Sequence, residues 1–143
     1  KEISKKYEAI QWLSWQIAGF GPMLGQAHHF NFYAKDSIEY AKNRYSNEAN
    51  RLYSVLDKKL YNKNWITGEY SIADIATYPW TRTPERQGVE LKDFPNVERW
   101  KEDMSKRPAV KKGMVVGQDM KKNTKLTEQE FSNLFGKNQY KQR

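Results

Sequence analysis

Cysteine is absent from the 143 residues. That excludes a disulfide framework, a thiolate zinc site and a cysteine nucleophile, and it agrees with a cytoplasmic location. Long hydrophobic runs are also missing: no apolar stretch approaches the roughly 20 residues a membrane-spanning helix needs. No signal or transit peptide pattern opens the chain, no segment alternates like a strand, and no internal repeat or low-complexity stretch is found. The first residue is Lys1 rather than Met and already falls in a helical pattern, so the chain is expected to be a piece of a longer one.

What is present is apolar and aromatic material: 38% hydrophobic and 14% aromatic residues, enough for one domain's core and too much for a disordered chain. The net charge of +8 is uneven. Residues 105–143 carry ten Lys/Arg against three Asp/Glu, whereas residues 1–104 carry fifteen against fourteen. A near-neutral body with a basic end argues against nucleic acid as partner, and the end lacks the basic–aromatic alternation of a nucleic-acid groove. It reads as a solvated terminus, touching neither nucleic acid nor membrane.

Helical spacing dominates. In 3–20, Ile3, Tyr7, Ile10, Ser14 and Ile17 form one stripe, and Trp12, Trp15 and Gly19 lie opposite. A helix apolar on two faces needs partners on both. The Trp12–Trp15–Gly19 face is expected to be the one left for a second domain, a dimer mate or a ligand. Pro22, set among Gly19, Gly21 and Gly25, predicts a kink or break. Segment 37–60 carries Ile38, Ala41, Tyr45, Ala49, Leu52, Leu56 and Leu60 at helical steps, with Asp36 and Glu39 as its expected capping pair. At about 100° per residue, Arg44 and Arg51 fall roughly 110–130° from that stripe, flanking the core.

Ser71 and Asp74 have the spacing of a capping box, with Tyr70 and Ile75 as a hydrophobic staple, opening a helix over 71–85 that Pro79 interrupts. Pro95 and Pro108 begin two further helices, the first with Val97, Trp100 and Met104 inward and the second running to about Val116. Residues 117–126 read as a polar connector. Thr127 and Glu130 cap a short terminal helix bearing Phe131, Leu134 and Phe135. The expected fold is all-α, a bundle of five or six helices. Segments 3–20 and 37–60 are expected to be antiparallel and the 71–85 helix central, with a domain over 1–116 and a basic extension over 117–143. His28-His29 is not read as a metal site: adjacent helical residues diverge by about 100° and no carboxylate stands three or four residues on. Capping accounts for Ser71 and Asp74 without chemistry.

Three stretches carry a family resemblance. They are Gln11-Trp12-Leu13-Ser14-Trp15-Gln16 with Gly21-Pro22-Met23-Leu24-Gly25-Gln26-Ala27-His28-His29-Phe30; Tyr40-Ala41-Lys42-Asn43-Arg44-Tyr45 with Glu48 and Arg51-Leu52; and Tyr70-Ser71-Ile72-Ala73-Asp74-Ile75-Ala76 with Pro79-Trp80, Phe94-Pro95, Trp100 and Arg107-Pro108-Ala109-Val110. From Lys1 to about Val116 the chain resembles the C-terminal helical domain of cytosolic glutathione transferases, nearest the bacterial Nu class with its disulfide-bond oxidoreductases. A fungal nitrogen-catabolite regulator is similar. Ser14 and Ala27 depart from the family pattern. The S-I-A-D motif is shared widely in the family, whereas the G-P-M-x-G-Q-x-x-H-F run is narrower.

The resemblance implies an enzyme that uses glutathione as co-substrate, needs no metal and forms a homodimer. It implies that Arg44 contacts glutathione, that Trp15, Gln16, Phe20 and Met23 line a pocket for a hydrophobic electrophile or a disulfide, and that no catalytic group lies in this chain. The family's thioredoxin-like domain, which holds the glutathione thiol, has no counterpart here: strand–helix alternation and a Glu-Ser pair are both missing. The alternative reading is a non-catalytic protein-interaction module of the same helical fold.

Overall fold

Residues that repeat at three and four positions, with prolines confined to first turns, leave the backbone little choice but helix. The computed structural model describes residues 2–120 and 126–141, and among them every regular element is helical. The α-helices are α1 (Glu2–Trp15), α2 (Gly21–His28), α3 (Glu39–Leu60), α4 (Ile72–Thr77), α5 (Pro95–Lys106), α6 (Pro108–Met114) and α7 (Glu128–Phe135). The chain divides into two compact units, Lys1–Val110 and Lys111–Arg143.

Pro22 causes no break. Wide π-type turns at Gln16–Phe20 and His29–Tyr33 join smoothly to α2, with Trp15, Phe20, Gly21, His28 and His29 all in right-handed helical geometry. Pro22 stands in the first turn after the wide turn, where its missing N–H matters least. The result is one helical rod from Glu2 to Tyr33. It runs antiparallel to α3: Glu8 pairs with Lys59, Phe20 packs on Tyr53, and Asn31 bonds Ser46. Its α1 portion lies on α4 and its α2 portion on α3.

α3 starts later than Asp36 would have it. Its first turn begins at Glu39, Ile38 takes the cap position with no side-chain bond, and the Ser37 hydroxyl donates to Glu39. Asp36 is three residues ahead of the helix and cannot cap it. The C-terminal end is closed from another element, as the Arg99 guanidinium donates to the carbonyls of Leu60 and Lys63. Asp57 of α3 in turn caps α5, accepting from the backbone of Asn96 and Val97 and from the Asn96 side chain at 2.8–3.1 Å. The helix expected over 71–85 is shorter. α4 ends at Thr77, tightens to 3₁₀ over Tyr78–Thr81 around Pro79, and is followed by a 3₁₀ turn at Pro84–Gln87.

The core of the first unit gathers Phe20 and Leu24 from the rod, Leu52, Tyr53, Leu56 and Leu60 from α3, Ala73 from α4, and Val97, Trp100 and Met104 from α5. In the second unit Thr127 and Glu130 form a reciprocal capping box on α7, and Phe131 meets Phe135 edge-on at 5.1 Å. Residues 121–125 of the expected connector lie outside the described residues.

Candidate functional site

The two faces of α1 are reversed relative to expectation. Trp12 and Trp15 are half-buried and turn inward: Trp15 stacks on Phe20 at 4.9 Å and meets Trp12 edge-on at 5.0 Å, and Phe20 packs on Tyr53 at 5.5 Å. The Lys59 ammonium lies 5.1 Å over the Trp12 ring while bonding Glu8, which holds the Glu8 carboxyl below its ordinary range. The stripe that faces water is Ile3, Tyr7, Ile10 and Ile17, exposed by 72%, 65%, 39% and 61%. Both faces are apolar, so periodicity could not say which one meets the core. The wider indoles fill the space against α3, and the narrower stripe is left outside.

The four pocket candidates lie together on the rod. Trp15 and Met23 keep part of their surface open, whereas Gln16 and Phe20 are buried. The rod can sit this close to the segment after α4 because Gly21 has no side chain, whereas a Cβ at Gly25 would make ordinary contact with Trp80 at 3.6 Å. A Cβ at Gly21 would meet the Trp80 indole at 3.0 Å and the Gln16 amide at 2.8 Å. Trp80 is held from behind by Gln87, whose amide donates to the Trp80 carbonyl at 2.7 Å while its oxygen accepts from the Tyr53 hydroxyl at 3.0 Å. Burial pushes the Tyr53 phenol up, so it stays a donor.

Arg44 is exposed on α3 and enters no hydrogen bond or ion pair among the described residues. Seven residues on, Arg51 is committed: its Nε and Nη2 fork onto the two Glu48 oxygens at 2.8 and 2.7 Å. The helix therefore presents one free guanidinium and one neutralised pair.

Ser71 and Asp74 are structural. The Ser71 hydroxyl accepts from Ala73 N–H, and Asp74 Oδ2 accepts from the Ser71 N–H and hydroxyl. Asp74 does more than the sequence spacing indicates. It is fully buried, and its Oδ1 accepts from the Ile66 N–H at 3.0 Å and the Trp100 indole N–H at 2.9 Å. Both long-range partners were invisible to local spacing.

His28 packs against Phe32 and Tyr33 at 5.5 and 5.1 Å, with its Nε2 buried and without a hydrogen-bond partner. Among the described residues no group of three or more His, Cys, Asp or Glu side chains is placed to hold a metal ion, and no helix is long and apolar enough to cross a membrane. A shallow groove of about 350 Å³ lies between α5 and Tyr78–Leu91, lined in part by Glu98, Lys101 and Glu102. None of the candidate residues borders it.

Residues 18–108 match the family described as Glutathione S-transferase, C-terminal domain. The Escherichia coli K12 disulfide-bond oxidoreductase YfcG is 47% identical over 118 residues, covering 82% of this chain and 55% of the relative. YghU of the same organism, also a disulfide-bond oxidoreductase, is 39% identical over 125 residues, covering 81% and 43%. Thus the chain spans about half the length of the curated relatives it matches. Among solved structures, a Pseudomonas putida glutathione transferase with one glutathione disulfide bound per subunit superposes with a TM-score of 0.74 at 36% identity, covering 80% of this chain and 53% of that one. Ure2p in complex with glutathione superposes with a TM-score of 0.71 at 33% identity, covering 76% and 55%. Sequence and fold agree over the same helical unit, and this chain belongs to the glutathione S-transferase C-terminal domain family.

Proposed function

We propose that this chain is the helical half of a glutathione-dependent enzyme, a transferase or disulfide-bond oxidoreductase, whose thiol-holding half is a thioredoxin-like domain. The observation that carries the reading is the match of this helical unit to chains solved with glutathione or its disulfide bound, on a fold whose Arg44 guanidinium is free. Glutathione has two carboxylates, and a guanidinium can fork onto one of them. Trp15 and Met23, which keep part of their surface open, face the second substrate, an apolar electrophile or a disulfide, with the buried Gln16 and Phe20 packed behind them. With no cysteine in this chain, the reacting sulfur belongs to glutathione or to the other half. The enzyme is a cytoplasmic homodimer, and the exposed Ile3–Tyr7–Ile10–Ile17 stripe supplies apolar surface for its assembly.

This half alone contributes one charge-assisted contact, roughly 1.5–3 kcal/mol, against the ~7–11 kcal/mol that orienting the reacting groups can supply. The chain by itself is expected to bind glutathione weakly and turn over little. Joined behind the thioredoxin-like half of YfcG, it is expected to bind and turn over, and Arg44→Ala is expected to weaken glutathione binding of the joined protein roughly tenfold. Calorimetry and turnover on both forms check this. Micromolar binding by the chain alone, or no activity in the joined protein, overturns the reading. The exposed stripe also suits the alternative, a non-catalytic interaction module. A joined protein that never binds glutathione yet holds a protein partner through Ile10 and Ile17 favours that alternative.

A further inference from the structure

Glu48 lies on α3 between two arginines, Arg44 four residues before it and Arg51 three after. Residues at these spacings share one helix face and come within side-chain reach. Tyr40, Ala41 and Asn47 are the other residues three or four steps from Arg44, so Glu48 is the carboxylate on α3 able to pair with it. The Glu48 side chain is 18% exposed against 59% for Arg51. A partly covered carboxylate is favoured by a cationic partner. Arg51 supplies it with two parallel bonds at 2.8 and 2.7 Å, in the favoured order of acid before base along the helix. The Glu48 carboxyl is held below its ordinary range by the Arg51 bond first, against the effect of burial, with the charges of Arg51 and then Arg44 adding to it. Arg44, four residues from Glu48 on the same helix face, is within side-chain reach of it, yet makes no bond to it among the described residues.

We propose that Arg51 is a positioning residue for Arg44: by occupying both oxygens of Glu48 it keeps the Arg44 guanidinium unpaired and open to a ligand carboxylate. The proposal deepens the reading of Arg44 as the glutathione contact and rests on it for its functional meaning. Without Arg51, the half-covered Glu48 carboxylate turns to its remaining neighbour, and Arg44 is quenched within its own helix. Glu48 and Arg51 thus set how much of Arg44's charge a ligand meets without touching the ligand themselves.

The test uses this chain and two nuclear magnetic resonance readouts. The first needs no ligand: the Glu48 side-chain carboxyl is titrated in the native chain, Arg44→Ala, Arg51→Ala and the double variant. Arg44→Ala is expected to move the Glu48 titration little when Arg51 is present and markedly more when it is absent. Equal effects in both backgrounds overturn the proposal. In the second, reduced glutathione is titrated while the Arg44 Nε–H signal is followed. Arg51→Ala is expected to weaken binding about two- to fivefold at low salt, the size of one exposed helical ion pair. Arg51→Lys should retain most of the affinity, and adding Glu48→Gln to Arg51→Ala should restore it. The effect should fade near ~1 M salt, where screening reaches within ~3 Å. Weakening that Glu48→Gln does not rescue overturns the proposal. If Arg44→Ala leaves glutathione binding unchanged, the reading of Arg44 as a glutathione contact fails instead, and the Glu48 titration still decides the pairing.

Discussion

Asp74 connects three separate segments through one buried carboxylate. Ser71 begins α4, Ile66 belongs to the preceding turn, and Trp100 lies mid-way along α5. Loss of the cap alone would cost about 1 kcal/mol. Asp74→Ala also strands the buried Trp100 and Ile66 N–H groups, each worth about 1–3 kcal/mol when left unsatisfied. We expect Asp74→Ala to cost about 3–7 kcal/mol and Ser71→Ala about 1 kcal/mol in urea unfolding. Equal costs would reduce Asp74 to a simple cap.

At the same scale His28 makes stability depend on pH. Burial and the charge of Arg86 hold its imidazole below the ordinary histidine value of 6.5, against the opposing charge of Glu85. The folded state therefore takes up the proton less readily than the unfolded chain. The His28 contribution is complete above pH about 6.5 and is lost as pH falls below it, toward the lower folded pKa. Urea midpoints taken from about pH 7.5 to about pH 5 should fall more steeply for the native chain than for His28→Gln. Parallel slopes would remove His28 from the account.

Among the elements, the rod depends on where its glycines stand. Gly21 is pressed against Trp80 and the Gln16 amide, while a Cβ at Gly19 would meet nothing within 4 Å. Gly21→Ala is expected to destabilise by about 1–3 kcal/mol, the range of overpacking a close contact. Gly19→Ala, two residues away, is expected to stabilise by about 0.5–1 kcal/mol because alanine loses less backbone entropy in a helix. Thermal unfolding of the two variants separates them by sign. A shared sign would mean that the close approach of the rod to Trp80 does not matter for stability.

For the whole molecule, the exposed stripe of Ile3, Tyr7, Ile10 and Ile17 is apolar surface that a chain by itself cannot cover. Such a patch drives association with whatever apolar surface is available. We expect the chain to self-associate at high concentration and Ile10→Glu/Ile17→Glu to hold it monomeric, with sedimentation velocity as the measurement. Trp15→Ala, by contrast, should lower stability through lost packing on Phe20 and leave the association state unchanged. If Trp15→Ala abolished association and the paired glutamates did not, the assignment of faces would be reversed.

The sequence by itself determined the helices, the capping boxes at Ser71–Asp74 and Thr127–Glu130, and the interruption at Pro79. Each of these depends on residues within one turn of each other, and the chain cannot avoid such contacts. It also placed Arg44 and Arg51 off the apolar stripe of α3, because a stripe with one apolar side leaves no ambiguity. Local spacing misled at Asp36, where the helix starts three residues later, and on α1, where two apolar faces compete for one core. Tertiary structure decided the rest. It turned Trp12 and Trp15 inward, seated Trp80 in the notch above Gly21, bonded Trp100 to Asp74, and used Asp57 and Arg99 to close the ends of helices other than their own. Those choices depend on which surfaces meet at close packing, and partners tens of residues apart in the chain share no periodicity from which their meeting could be read.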